Sequence, residues 1–265
     1  MRADAINIED GRLKGLNLYN YPWFHERHRL FPDIFEKDRY KKILDIAAGV
    51  GVVGKRIHEN YPCYMLCNDI STESIKNLRA SKLNTISFDL DDSKVSFPFA
   101  DNSFDSVISL ATIEHIINLD HHMNEIKRIL SQNGHLYLSA PNYNGIHFVL
   151  PFLFKGKTFH NPMNEGIDKY EFYAHVRYFT HNTLIEFIES FGFQAEKVYL
   201  PLPKNSSKFN ALKNRSSFLA FTIKASIYLL YKLLPPRWAF HPVICFSKKT
   251  DASSKNHKKP KIVIV

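Results

Sequence analysis

Between residues 41 and 142 short apolar runs alternate with stretches of helical spacing. KKILDIAAG is an apolar run ending in small residues, and VGVVGKRIHEN follows with helical periodicity, so the pair predicts a strand, a tight loop and a helix. CYMLCND reads as a second strand, STESIKNLRASK as a helix with Ser71 or Thr72 at its N-cap, and NTISFDL as a third strand. SFDSVISL predicts a fourth strand, NLDHHMNEIKRILSQNG a helix closed by Gly134, and HLYLSAPN a fifth strand. Strands separated by helices build a parallel sheet. The right-handed crossover rule then selects a doubly wound α/β fold with helices on both faces.

After Asn142 the alternation stops. An aromatic-rich stretch precedes the helical pattern THNTLIEFIESFGF and the strand QAEKVYLPL, and HPVICFSKK reads as the last strand of a sheet of about seven. The predicted organisation is a helical N-terminal extension over 1–40, a main domain over 41–249 with insertions at 143–179 and 204–237 forming a cap, and a loose basic tail over 250–265. Insertions following the fifth strand lie above the C-terminal strand edges, where open α/β sheets bind ligands.

Composition changes this picture little until charge is located. Hydrophobic residues at 45% and charged residues at 23% are those of a soluble globular protein. The N-terminus lacks an apolar export core and the three cysteines lack disulfide or zinc spacing, so the expected location is cytoplasmic. All of the net charge of +9 is C-terminal: from Lys204 onward 13 basic residues face Asp251 alone. Such a region suits an anionic partner, whether a phospholipid surface, a phosphorylated carrier or nucleic acid. The run Ser216 to Leu234 is nearly long enough to span a bilayer, but Lys224 interrupts it and two prolines follow. Residues 216–234 are therefore expected either to roof the substrate pocket or to lie peripherally in a membrane interface.

Candidate chemistry sits at the strand ends. Gly49 and Gly51 in AAGVGVVG remove side chains where backbone must approach a ligand, and the next helix offers free N–H groups. That loop alone suits a dinucleotide as well as other nucleosides. Asp45 lies in the first strand, Asp69 ends the second and Asp89 ends the third, which aims three acids at one crevice. An acid at the second position can accept both hydroxyls of a ribose, and one at the third can accept from an adenine amino group.

The strings ILDIAAGVG, NDIS, FDL, FPFADNSFDSVISLATIEHI and EIKRILSQNGHLYLSAPN, in this order and spacing, resemble the motifs of class I S-adenosylmethionine-dependent methyltransferases. The likeness is greatest to the small-molecule group that includes ubiquinone-biosynthesis methyltransferases. It covers about residues 41–142, with weaker features to residue 200. The resemblance implies a Rossmann-like sheet, S-adenosylmethionine as cofactor and methyl transfer by in-line displacement. It also implies that Asp45, Ala47, Gly49 and Gly51 hold the methionine end, Asp69 the ribose, and Asp89 with the Leu90 backbone the adenine, while Ser109 and Leu110 line the methionine side. One departure is Ala47, where the family has its first loop glycine; its methyl group is tolerable if φ there is negative.

An oxygen nucleophile gains from a general base, and histidine is the side chain poised near neutral pH. His115, just past the fourth strand, and His175, at the end of the first insertion, are the candidates by position, and Asn142, Tyr143, Arg177 and Tyr178 are candidates for shaping the acceptor pocket. The adjacent His121 and His122 point about 100° apart on a helix and read as a solvated helix start, so no metal site is expected. The expected acceptor is a small molecule or a glycan- or lipid-linked compound, because the insertion is aromatic and no RNA-binding module is recognisable, which places nucleic acid behind it. An NAD-dependent oxidoreductase and a non-catalytic nucleotide-binding scaffold are the competing readings: the first leaves FDSVISLATIEH unexplained, and only Ala47 favours the second.

Overall fold

The computed structural model describes residues 2–157, 160–161, 163–164, 167–249 and 259–265. Its centre is one sheet of eight strands in the order β3-β2-β1-β4-β5-β7-β6-β8. Strands β1 (Lys42–Ile46), β2 (Tyr64–Asn68), β3 (Asn84–Ile86), β4 (Phe104–Leu110) and β5 (Leu130–Ser139) are mutually parallel, as the alternating pattern predicts. Strand β7 (Val243–Lys248) enters antiparallel between β5 and β6 (Phe193–Leu200). The central strands read as near-continuous apolar runs because both of their faces are covered. On one face Leu44, Val107 and Leu138 pack with Met123 and Ile126 of α5 (Leu119–Ile129) and Leu184 and Ile188 of α8 (His181–Ser190). On the other, Ile43, Ile108 and Tyr137 pack with Val53 and Ile57 of α3 (Val52–Asn60), Leu78 of α4 (Thr72–Ala80) and the segment carrying Leu30, Phe31 and Tyr40.

Several expectations are corrected. The eighth strand, β8 (Lys261–Ile264), pairs parallel with β6, so the end of the expected loose tail is an edge strand; residues 250–258 lie outside the described residues. Helix α5 stops at Ile129 instead of reaching Gly134, and β5 begins at once. Gly134 is needed inside β5 because a Cβ there would stand 2.7 Å from Leu130 Cγ, next to a register shift against β4. Strand β3 is only three residues long, leaving Asp89 in a loop beyond it. The N-terminal extension is helical only in α1 (Arg2–Leu13) and α2 (Glu26–Arg29).

The first insertion contains α6 (Ile146–Lys155) and α7 (Ile167–Ala174), and the second α9 (Ser207–Arg215) and α10 (Ser217–Leu233). Neither long apolar helix is buried in the core. Helix α6 has no buried residue, and α10 buries only Ala220 and Tyr231. No helix among the described residues is long and apolar enough to cross a membrane.

Helix α3 crosses its own sheet closely at Gly54, where an added Cβ would meet Cys67 Sγ at 2.6 Å and Leu83 Cδ1 at 3.3 Å. Gly54→Ala is expected to cost about 1–3 kcal/mol by overpacking, despite the better helix propensity of alanine. A lowered urea midpoint, followed by circular dichroism, checks this.

Candidate active site

The loop after β1 is built on one carboxylate. Asp69, immediately past β2, accepts the Gly49 N–H at 2.8 Å through Oδ2 and the Ser71 N–H at 2.9 Å through Oδ1. The first bond fixes the loop; the second shapes the entry to α4, whose N-cap Ser71 accepts the Ser74 N–H. Asp10 of α1 accepts from the hydroxyls of Ser71 and Thr72, and Tyr170 of α7 donates to Glu9, so α1 bridges from α4 to α7. Leu13, Leu16 and Trp23 close over Val50 and Val52 of the loop. The N-terminal extension thus roofs one end of the crevice.

Asp45, Asp69 and the loop gather as the spacing predicts. Asp45 lies between Cys67 and Ile108 in the sheet register, is buried and makes no side-chain hydrogen bond among the described residues. Burial, then the nearby Asp69 charge, pushes its carboxyl up to about 8. Asp69 is pushed up to about 6, chiefly by burial, against the hydrogen bonds from Ser71 and Gly49. Asp89 accepts the Asp91 N–H at 3.0 Å in its loop. The Leu90 carbonyl is occupied by His122 Nδ1 at 3.3 Å. His122 is therefore buried and pinned, correcting its reading as part of a solvated helix start.

The loop glycines divide in role. Gly49, at φ +57°, faces open space where a Cβ would stand. Gly51, at φ +87°, is instead demanded by packing, since a Cβ would lie 2.8 Å from Leu78 Cδ2. Ala47 adopts φ +54°, so the negative value that would make its methyl group easy is not met. Ser109 at the end of β4 is buried with no partner for Oγ, and Leu110 beside it is partly buried. The residues fit a nucleoside that carries a cation: Asp45 is an unpaired acid, Asp69 keeps a spare lone pair on each oxygen, and the backbone at Gly49 is bare.

The other end of the crevice lies past β4, in the 3-10 turn Ile113–His115. The Glu114 carbonyl accepts the N–H groups of Val176 and Arg177 at 2.9 and 3.1 Å, which brings the two candidate histidines together. The rings of His115 and His175 are 4.7 Å apart. His175 Nδ1 lies 2.8 Å from Tyr143 Oη, which is 2.9 Å from His160 Nε2. Burial, followed by the neighbouring His115, lowers His175 to about 3. Of the other expected pocket residues, Asn142 is a clamp holding the Arg237 and Ala239 carbonyls and the His181 N–H, Arg177 donates to the Ile117 carbonyl, and Tyr178 is half exposed. Sequence reasoning did not single out Glu114, which is buried with neither carboxylate oxygen hydrogen-bonded among the described residues. Nor did it find Arg27, His25, His147 and His241, whose His147–His241 and His25–His241 rings are 5.2 and 6.5 Å apart. Burial lowers all four. They come from distant segments and carry no common motif.

Residues 44–138 match the sequence profile of a family described as methyltransferase domain. A glycine/sarcosine/dimethylglycine N-methyltransferase of Actinopolyspora halophila is 30% identical over 104 residues. That stretch is 38% of this chain but 18% of the relative, so the chain matches less than a fifth of the relative's length. Among solved structures, a chain of the complex between the Haloferax volcanii Trm112 methyltransferase activator and a methyltransferase is similar at TM-score 0.60 and 16% identity, covering 95% of this chain and 99% of that one. Phosphoethanolamine N-methyltransferase 2 of Haemonchus contortus, in complex with S-adenosyl-L-methionine, is similar at TM-score 0.56 and 16% identity, over 93% of this chain and 57% of that one. At these identities the structural likenesses show the fold.

The raised Asp45 makes a signed prediction. The fold favours the protonated acid, so this group's contribution to stability is complete below its ordinary value near 3.8 and is lost as pH rises to about 8. A cation settling beside it needs the carboxylate, so affinity for S-adenosylmethionine should rise between about pH 6 and 8 with release of up to about one proton. Calorimetry in buffers of different ionisation enthalpy measures this, and Asp45→Asn should remove the proton release.

Proposed function

We propose, from the methyltransferase-domain profile that residues 44–138 match, that this chain is a class I S-adenosylmethionine-dependent methyltransferase of a lipid-linked or otherwise apolar acceptor that it meets at a membrane surface. When bound, S-adenosylmethionine supplies an electrophilic methyl group, so the protein's work is alignment and exclusion of water. In this reading Asp69 takes the ribose hydroxyls while it keeps Gly49 in place, Asp45 answers the cationic end, and Ser109 Oγ finds the partner it lacks among the described residues. Asp89 and the Leu90 backbone form the adenine end. Ala47, Gly51 and Leu110 shape the loop and wall without a polar side-chain contribution.

His115 and His175 line the acceptor end. His175, with its basicity depressed by burial, serves better as a lone-pair donor than as a proton acceptor near neutral pH. An acceptor with an electron-rich nitrogen or carbon needs no dedicated base.

The observation that carries the acceptor class is the exposure of two apolar helices. Phe152, Leu153 and Phe154 of α6 are 54, 66 and 80% exposed, and Phe218, Phe221 and Leu233 of α10 are 78, 69 and 71% exposed. Phe240 packs against both His147 at the start of α6 and Tyr231 near the end of α10, so the two helices share a neighbour. Lys208, Lys213 and Arg215 of α9 lie alongside. Exposed aromatic residues flanked by lysines suit an anionic bilayer interface.

Two measurements test this reading. Asp69→Asn should weaken S-adenosylhomocysteine binding by about 10- to 100-fold, the worth of hydrogen bonds to a charged group, by calorimetry. Unchanged affinity would overturn the ribose assignment. In flotation assays the protein should rise with phosphatidylserine-containing vesicles at low salt, and the double change Phe218→Asp, Phe221→Asp should release it. Failure of the unaltered protein to float would leave a free small molecule or sugar as the acceptor.

A further inference from the structure

Glu114, His115 and His175 each bring a potential metal-binding atom to within 4.8 Å of the others. Glu114 is 1% exposed and its Oε1 and Oε2 have no hydrogen-bond partner among the described residues. An ionised or protonated carboxyl left so is costly, since even the neutral acid has a donor to satisfy. Arg27 acts on Glu114 through space, yet the two form no salt bridge, and Arg27 Nε is itself buried without a partner.

The hydrogen bonds around the cluster hold its two rings in place. His115 Nδ1 faces the Ala174 carbonyl at 3.0 Å, and a carbonyl only accepts, so this nitrogen carries a proton and Nε2 is the atom that His115 can offer to a ligand. His175 Nδ1 is engaged by Tyr143 Oη at 2.8 Å, and the same hydroxyl lies 2.9 Å from His160 Nε2. Two imidazoles and a carboxylate that has no hydrogen-bond partner among the described residues thus bring one potential ligand atom each into a single cluster. The outer bonds to Ala174 and Tyr143 are of the kind that orient histidine ligands and set their tautomers.

We propose that Glu114, His115 and His175 form a binding site for a divalent transition-metal ion, two imidazoles and one carboxylate with further positions open to water or acceptor. Two nitrogen donors favour zinc, iron, nickel or copper over magnesium, calcium or manganese. The Ile113–His115 turn that supplies two ligands follows β4, which pairs with β1, the strand that leads into the cofactor loop. An acceptor oxygen on the ion would be held and deprotonated there as a Lewis-acid complex, its proton leaving to solvent before attack on the methyl group. This role, though not the binding, rests on the methyltransferase reading. The three ligands are separated by up to some sixty residues, which is why inspection of His121 and His122 did not find them.

The test uses the full chain, stripped with EDTA and titrated with Co2+ for its visible spectrum and with Zn2+ by calorimetry. One ion per chain is expected, with a visible d–d absorption, and Glu114→Gln or His175→Ala should weaken binding by roughly tenfold or more. Asp69→Asn should leave metal affinity unchanged while losing S-adenosylhomocysteine, which separates failure of this proposal from failure of the cofactor assignment. His135, Glu196 and Cys245 form a second set of potential ligands elsewhere on the sheet. A near-ultraviolet cobalt–thiolate band abolished by Cys245→Ser, with Glu114→Gln binding normally, would overturn the assignment. So would absence of binding to the unaltered chain, which would leave Glu114 balanced by Arg27 or a proton.

Discussion

The Asp69 carboxylate, held between the Gly49 and Ser71 N–H groups, is the junction on which the loop after β1 depends. It ties the end of β2 to the loop after β1 and to the first turn of α4, and Asp10 of α1 docks on the same turn. A buried acid is costly unless hydrogen-bonded. Here the bonds that lower that cost also place the acid at the bare backbone of Gly49. The loop after β1 and the entry to α4 therefore share one group, and substitutions at Asp69 act on both.

A second junction does the corresponding work past β4. The Glu114 carbonyl collects two N–H groups from the segment after α7, so the first insertion is fastened to the central sheet at the residue whose side chain is left unpartnered. The insertion places His175 and supports it through Tyr143 and His160. Burial holds down the basicity of His147, His175 and His241.

The two insertions also set the outer surface. Helices α6 and α10 leave aromatic and aliphatic side chains in water, where a monomeric soluble protein would ordinarily cover them. Their common neighbour Phe240 links this surface to the histidine-lined end through His147.

Much of the central sheet was legible from the chain because buried parallel strands are continuous apolar runs, bounded by helices with their own period. The same regularity placed Asp45, Asp69 and the Gly49 loop together, since the ends of parallel strands share one edge. The sequence did not reveal that Gly51 and Gly54 serve packing, that Ala47 stands at positive φ or that residues 261–264 return to the sheet, because each depends on neighbours distant in the chain. Nor could helical spacing tell a roof from an exposed apolar face. The sequence by itself determined the fold class and the gathering of Asp45, Asp69 and the Gly49 loop at one sheet edge, where placement follows strand order. Only the tertiary structure brought Glu114, His115 and His175 together, because they converge through backbone bonds between a strand end and an insertion that no local pattern encodes.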